Sequence, residues 1–575
     1  MIRKLILAPA AFLLLLGGSS CSSKLGTLSA EDFTVTPQPL EESGGSVPFT
    51  INGRFPEKFM KRNATVVVTP VLRYAGGETA AVNGATFQGE NVQGNHQEIS
   101  YRLGGSFTMR SRIAAYSPEM LRSDLYLTFK ATVGKKEVAV PDLRVGYGVL
   151  STATLLGNAL AAEGCAWSED RFQFAIAQKQ QAQIKYLIQQ TSIRTSELQT
   201  TSVQDFLKTL RDIKADQKAY QLDNIEISSF ASPEGNVRLN TELAQGRGKS
   251  SSAFVENELK SLGLEAGIAS RYTAEDWEGF RELLEQSNIQ DRDVILRVLS
   301  MYPDPEERER QIRNLSAAFT ELADEVLPEL RRSRLAINYV VFGRTDEEIQ
   351  DQYKTDAAQL SADELLYAAT LTDNDVEREG VYVTAATLYP QDYRAYNNLA
   401  ALAYQKGDLE LARRYAEEAV EKAPDAAEAN ANLALLTMAA GRSGSNFEEE
   451  VQGYLSKATG AKNYTAVLGC YNMMCGQYAT AAKNLKGTKT NAAALAAILN
   501  KDYLTAAEAL AACARQDATT NYLRAIVAAR TGQTEFVVPN LKAAIALDPA
   551  FRQRAAHDLE FAKLAADPAF QQILR

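Results

Sequence analysis

A short turn, Ser232-Pro-Glu-Gly235, runs into a helix that carries Asn240 and Arg247. These residue types could hold an anion. A guanidinium binds a carboxylate through two parallel, charge-assisted hydrogen bonds. A helix N-terminus behind a glycine turn adds donors and a favourable dipole. Asn240 can both donate and accept. A ligand that also carried an ammonium group would need an acid beside it. Ser232 has no charge, so Glu234 is the nearest candidate. The plainer alternative makes Arg247 a surface helix arginine and Glu234 a turn residue.

Other chemistry finds less support. The 575 residues include only two histidines, His96 and His557, far apart in the chain, which weakens any triad or histidine-rich metal site. Cys470 and Cys475 do not have a CxxC spacing, and on a helix they sit about 140° apart. Free thiols are the preferred reading for Cys165, Cys470, Cys475 and Cys513. A disulfide among the last three is the alternative in an oxidising compartment. No motif singles out a pair of carboxylates, so no enzyme and no cofactor are expected. Lys plus Arg is 61 against 71 Asp plus Glu, with no basic block, so nucleic acid is not an expected partner. Past the first residues no apolar stretch is long enough to span a bilayer.

The elements that must position these residues fall into blocks. Residues 30–150 read as short strands with glycine and asparagine punctuation, which predicts an all-β sandwich. The runs Ser46–Asn52, Ala64–Arg73, Glu98–Tyr101, Asp124–Phe129 and Glu137–Asp142 are its strands. Residues 151–169 read as a linker or short helix. Residues 170–345 alternate strand and helix and predict an α+β domain with helices on one face of a mixed sheet. Its strands are Phe172–Ala177, Ala182–Gln189, Asn224–Phe230, Ile268–Tyr272 and Leu335–Phe342. Its helices are Ser202–Ile213 and Val237–Leu262, and 274–330 is a charged helical insertion. A linker follows at 346–356.

From 357 to 550 the chain is alanine-rich and repeats with a period of 34, as in Pro390 and Pro424, or Gly407 and Gly441. Residues 551–575 cap the repeats. The clearest unit, Asp392 to Pro424, resembles the tetratricopeptide repeat in its small residues, turn glycine and closing proline. That resemblance implies an all-α solenoid whose groove takes an unknown protein partner. Asn397, Asn398, Gln405 and Asn432 are candidate groove residues, with solvated side chains the plainer reading of each.

Two further resemblances concern location and ligand. Arg3 and Lys4, the apolar run Leu5–Leu16, and Gly17-Gly-Ser-Ser20 before Cys21 resemble a bacterial lipoprotein signal, with Gly18 where that pattern usually has leucine. This implies a signal peptide at 1–20, acylation of Cys21, a tether at 21–29 and a membrane partner through the lipid. The plainer alternative is an ordinary signal peptide with an incidental cysteine. Ser22-Ser-Lys24, with no acid before Glu31, favours the periplasmic side of an outer membrane. The stretch Ile225 to Leu259, and Arg331-Arg-Ser-Arg334 before the last strand, resemble the OmpA-like, peptidoglycan-associated domain. That family has aspartate where Ser232 stands here. The likeness implies that Arg247, Asn240, Ser232 and Glu234 meet the diaminopimelate stem peptide of peptidoglycan. Together the three resemble a Bacteroidetes-type envelope lipoprotein that tethers to the wall and recruits proteins. The alternative is a protein-binding scaffold whose OmpA-like domain no longer binds peptidoglycan.

Overall fold

A computed structural model describes residues 24–161, 163–234, 236–289, 291–314, 320–441 and 446–575. The signal segment and Cys21 lie outside the described residues. The chain divides into two compact units, Met1–Glu169 with Thr372–Arg575, and Asp170–Leu371. No helix among the described residues is long and apolar enough to cross a membrane.

The first unit begins with β-structure. Strand Val47–Phe55 buries alternate residues, and it pairs with Phe33–Thr36 on one side and Gly105–Ile113 on the other. A larger sheet is built on Ala64–Tyr74 and Ser123–Val133. Period-two alternation sends one face of each sheet inward. Phe33, Ile51 and Phe107 from the first sheet share a core with Val66, Leu72 and Leu127 from the second. Phe55 stacks on Phe59 at 5.1 Å, and Phe87 meets Phe107 at 4.4 Å. Two facing sheets over one core form a sandwich.

The same unit resumes with helix Asp375–Leu388 and then five helix pairs among the described residues. These are Tyr393–Gln405 with Leu409–Lys422, Ala427–Ala439 with Phe447–Lys457, and Tyr464–Met474 with Tyr478–Asn484. Asn491–Leu499 with Tyr503–Ala512 and Ala518–Thr531 with Val537–Leu547 complete the run. Buried alanines such as Ala400, Ala412, Ala416 and Ala434 let the helices pack closely. The turn inside a pair needs a left-handed residue. Gly407, Gly441, Gly476 and Gly532 supply it, and Lys501 does so in the fourth pair at φ 64°. Phe551, Phe561 and Phe570 from the last residues join Tyr522 in the core and close the stack.

The second unit is a four-stranded sheet in the order Ala175–Lys185, Arg332–Phe342, Tyr220–Phe230, Gly267–Thr273. The last pair is parallel and the others antiparallel, as a mixed sheet requires. Helices Thr201–Ala215 and Val237–Leu262 bury Val203, Phe206, Leu210, Val255 and Leu259 against Ile225, Ile227, Leu335 and Ile337. The insertion has its own small core around Phe280, Leu284, Ile295 and Leu330. Beyond shifts of a few residues at element ends, three assignments differ from the sequence reading. The two expected strands 172–177 and 182–189 are one, Ala175–Lys185, because its glutamines pair along the full length of the closing strand. The expected linker 346–356 is helix Asp346–Asp356, started by a capping box between Thr345 and Glu348. Residues 357–371 belong to this unit rather than to the repeats. Glu364 pairs with Arg344 at 2.7 Å, and Tyr367 stacks on Phe172 at 4.6 Å.

Candidate functional site

Helix Val237–Leu262 is capped by Asn236, which accepts from Leu239 N at 2.8 Å. Asn240, Ala244, Arg247, Ser251, Val255 and Leu259 recur every three or four residues and form its buried face. Arg247 therefore points inward and is only 1% exposed. Its Nε donates to the Gln190 carbonyl at 3.1 Å and Nη1 to the Phe230 carbonyl at 2.8 Å. Nη2 faces the Leu187 carbonyl at 3.5 Å, and the guanidinium lies 5.2 Å from the Tyr186 ring centre. Burial pulls its pKa down to about 10, against a smaller upward pull from Tyr186. Beneath it, the Tyr186 hydroxyl and the hydroxyls of Ser251, Ser333 and Ser229 bond to one another.

The other expected site residues are also engaged. Ser232 is buried and donates to Glu234 Oε1 at 2.7 Å. Both Glu234 oxygens accept from Arg331, at 2.9 and 3.0 Å. Asn240 is buried and donates to Glu275 at 3.3 Å. Glu234 and Arg331 are near enough to act electrostatically on Arg247, so the turn and the helix do converge. They converge on the protein's own atoms. The residues expected to receive a carboxylate and an ammonium are bonded to backbone carbonyls and to Arg331. Arg331 stands out in the sequence within Arg331-Arg-Ser-Arg334, but nothing there pairs it with Glu234, 97 residues earlier.

The groove of the helix pairs is occupied too. A helix apolar on every side must be covered on every side. Ala427–Ala439 buries every residue from Ala429 to Met438, and Asn491–Leu499 buries Asn491 through Ile498. Second helices cover one side. Residues 151–169, expected as a linker or short helix, cover the other and contain the short helix Leu156–Leu160. Leu155, Leu156, Ala159 and Leu160 enter the core of the stack. Beyond them the chain is extended and held by asparagines. Asn432 accepts from Ala166 N at 2.7 Å and donates to Ala166 O at 2.7 Å. Asn398 accepts from Ser168 N at 2.8 Å and donates to Ser168 O at 3.1 Å. Asn397 donates to Ala166 O at 2.9 Å, and Asn463 to Gly164 O at 3.1 Å. Asn397, Asn398 and Asn432 are thus buried rather than solvated, while Gln405 is exposed. They were legible as groove residues. Their partner, some 230 residues earlier in the chain, was not.

No family model matches this chain. No curated protein matches it either. Among solved structures it is similar to a tetratricopeptide repeat protein from Parabacteroides merdae, at 13% identity and TM-score 0.29, over 40% of this chain and 91% of that one. It is also similar to YrrB, described as a TPR protein with an unusual peptide-binding site, at 17% identity and TM-score 0.19, over 33% and 88%. The APC/C hetero-tetramer Cut9-Hcn1 is a third, at 13% and 0.29, over 59% and 67%.

The segment in the groove carries one buried acid. Glu163 is 7% exposed, and hydrogen bonds from the Thr490 side chain and Ala492 N–H serve its carboxylate, but Oε1 has no partner. Burial raises its pKa. A carboxyl raised on folding contributes stability that is fully present below its unfolded value and lost as pH rises through the folded one. Glu163→Gln is therefore expected to be the more stable chain at pH 8, by about 1 kcal/mol. The advantage should shrink toward pH 4, as read by urea unfolding at the two pH values. Equal stability of the two chains at pH 8 would contradict it. The described cysteines are free thiols. Burial pushes Cys165 up to about 12 and Cys470 well above the ordinary thiol, so neither is a nucleophile near neutrality.

Proposed function

We propose that the chain is a non-enzymatic scaffold of the cell envelope. It is lipid-anchored through Cys21 on the periplasmic side of an outer membrane. Its central unit has an OmpA-like fold that does not take peptidoglycan, and its repeat stack recruits a protein. The observation that carries this reading is the buried Arg247, each of whose three guanidinium nitrogens faces a backbone carbonyl of the protein itself. A guanidinium so placed would have to give up those bonds before it could grip a stem-peptide carboxylate. The absence of an acid at Ser232 points the same way, since Glu234 is already neutralised by Arg331. The spacing from Gly235 to Asn240 to Arg247 favours the second reading, a peptidoglycan tether.

Two readouts on the full-length chain separate them. Partition into a detergent phase is expected for the wild type and lost in Cys21→Ser. Purified sacculi are expected not to retain the protein. Retention that a free diaminopimelate-containing stem peptide competes away would establish the tether instead. Partition unchanged by Cys21→Ser would remove the lipid anchor.

A further inference from the structure

Residues 151–169 have two halves of different chemistry. Thr152–Leu160 is apolar and anchored, with Leu155, Leu156 and Leu160 in the core and the Leu160 carbonyl accepting from Tyr404. Gly164–Glu169 is extended and held mainly through main-chain atoms. Asn432 reads both polar groups of Ala166, and Asn398 reads both of Ser168. Ala166 and Ser168, two residues apart, turn their small side chains inward and are buried. Trp167 between them faces outward, 6.2 Å from the Tyr382 ring. At the far end Lys462 pairs with the Glu169 carboxylate at 2.5 Å, and Arg394 reaches the Glu169 carbonyl at 3.5 Å.

Paired amides that bind alternate peptide groups recognise an extended backbone rather than a particular sequence. The side-chain requirement here is two small residues at alternate positions, since the Lys462–Glu169 pair beyond them is exposed and contributes little. We propose that the repeat groove is a receptor for such an extended segment, and that Gly164–Glu169 is a built-in occupant which a partner's segment of the same kind displaces. The inference rests on the repeat stack being the interaction module proposed above. The anchored Thr152–Leu160 keeps this occupant nearby at an effective concentration on the order of 1 mM. A short competitor therefore has to approach that concentration, while a partner with further contacts does not. The fold would thus hold the groove closed until a suitable partner arrives.

The test uses the full chain and a fluorescein-labelled peptide of residues 163–169 carrying Cys165→Ser. Ala166→Pro removes the N–H that Asn432 accepts and should free the polar half. The peptide is expected to bind Ala166→Pro at least tenfold more tightly than wild type, and to lose that binding when Asn397→Ala and Asn432→Ala are added. An Ala166→Pro chain with intact helicity that does not bind overturns the proposal and leaves the groove a fixed clasp. If helicity falls, the wild-type chain decides. With roughly 2 mM unlabelled peptide, the Ala166 and Ser168 amides should exchange hydrogen at least threefold faster. Unchanged exchange overturns the proposal. A failed titration does not touch the sacculus result, which concerns Arg247 in the other unit.

Discussion

Arg247→Met is expected to lower the stability of the central unit by about 3 kcal/mol. The carbonyls of Gln190, Phe230 and Leu187 would each lose a charged donor, Phe230 from a half-buried position and the other two from nearer the surface. An orphaned buried acceptor costs about 1–3 kcal/mol. The contact with the Tyr186 ring, at 5.2 Å, would also go. Methionine restores much of the volume, and removing a buried charge returns part of its desolvation cost, so the net loss is smaller than the sum. Arg247→Lys should recover little, because one ammonium cannot copy a planar fork aimed at carbonyls on separate segments. Native-state hydrogen exchange of the full chain reads this directly. The amides of Ile225 and Ile227, in the strand that carries Phe230, should lose protection by roughly two orders of magnitude. A variant that keeps its protection but changes behaviour on sacculi would make Arg247 a ligand residue after all. Lost wall retention in an arginine variant that has also lost this protection would reflect unfolding of the unit rather than lost recognition.

How far the sequence reached depended on whether a residue's partner was local. Helix Val237–Leu262 was legible to its ends, since its N-cap, apolar face and closing Gly263 all lie within the helix or beside it. The 34-residue period was legible because each unit repeats the same small residues and turn. Strand Gly105–Ile113 was missed, although Phe107, Met109, Ser111 and Ile113 face in while Thr108, Arg110 and Arg112 face out. Two arginines and a serine hide that alternation when only apolar runs are sought. The partner of Glu234 depended on a contact 97 residues away, which no periodicity encodes. The groove shows the same limit. The asparagines were noticed for their type, but buried polar side chains must be satisfied, and what satisfies them looked like an ordinary linker. The short helix in this stretch, Leu156–Leu160, agrees with its leucine spacing, but nothing in the polar, glycine-containing residues after it shows what they bind.

Glu560→Gln is expected to cost about 3–5 kcal/mol, since it leaves the other member of a buried pair uncompensated. Glu560 is 4% exposed and Arg530 14% exposed, and the guanidinium approaches both carboxylate oxygens, with Nε at 3.0 and 2.9 Å. Thr152 donates its hydroxyl to the same carboxylate, and Arg554 binds the Ser151 carbonyl at 3.0 Å. The pair thus ties three segments together: the last first-helix of the stack, the capping residues and the start of the anchored stretch Thr152–Leu160. Its loss should loosen all three, so the amides of Leu155 to Leu160 should exchange faster along with those of Tyr522 and Phe561. Removing both charges is a different matter. Arg530→Met with Glu560→Leu should cost clearly less than Glu560→Gln, because no lone charge remains, and a double-mutant cycle should return a coupling of about 2 kcal/mol or more. Little of this should respond to added salt, since a pair shielded from solvent is weakly screened. A loss below about 1 kcal/mol for Glu560→Gln would mean that water reaches the pair, and that Thr152–Leu160 is held by its leucines and by Tyr404 rather than by this pair.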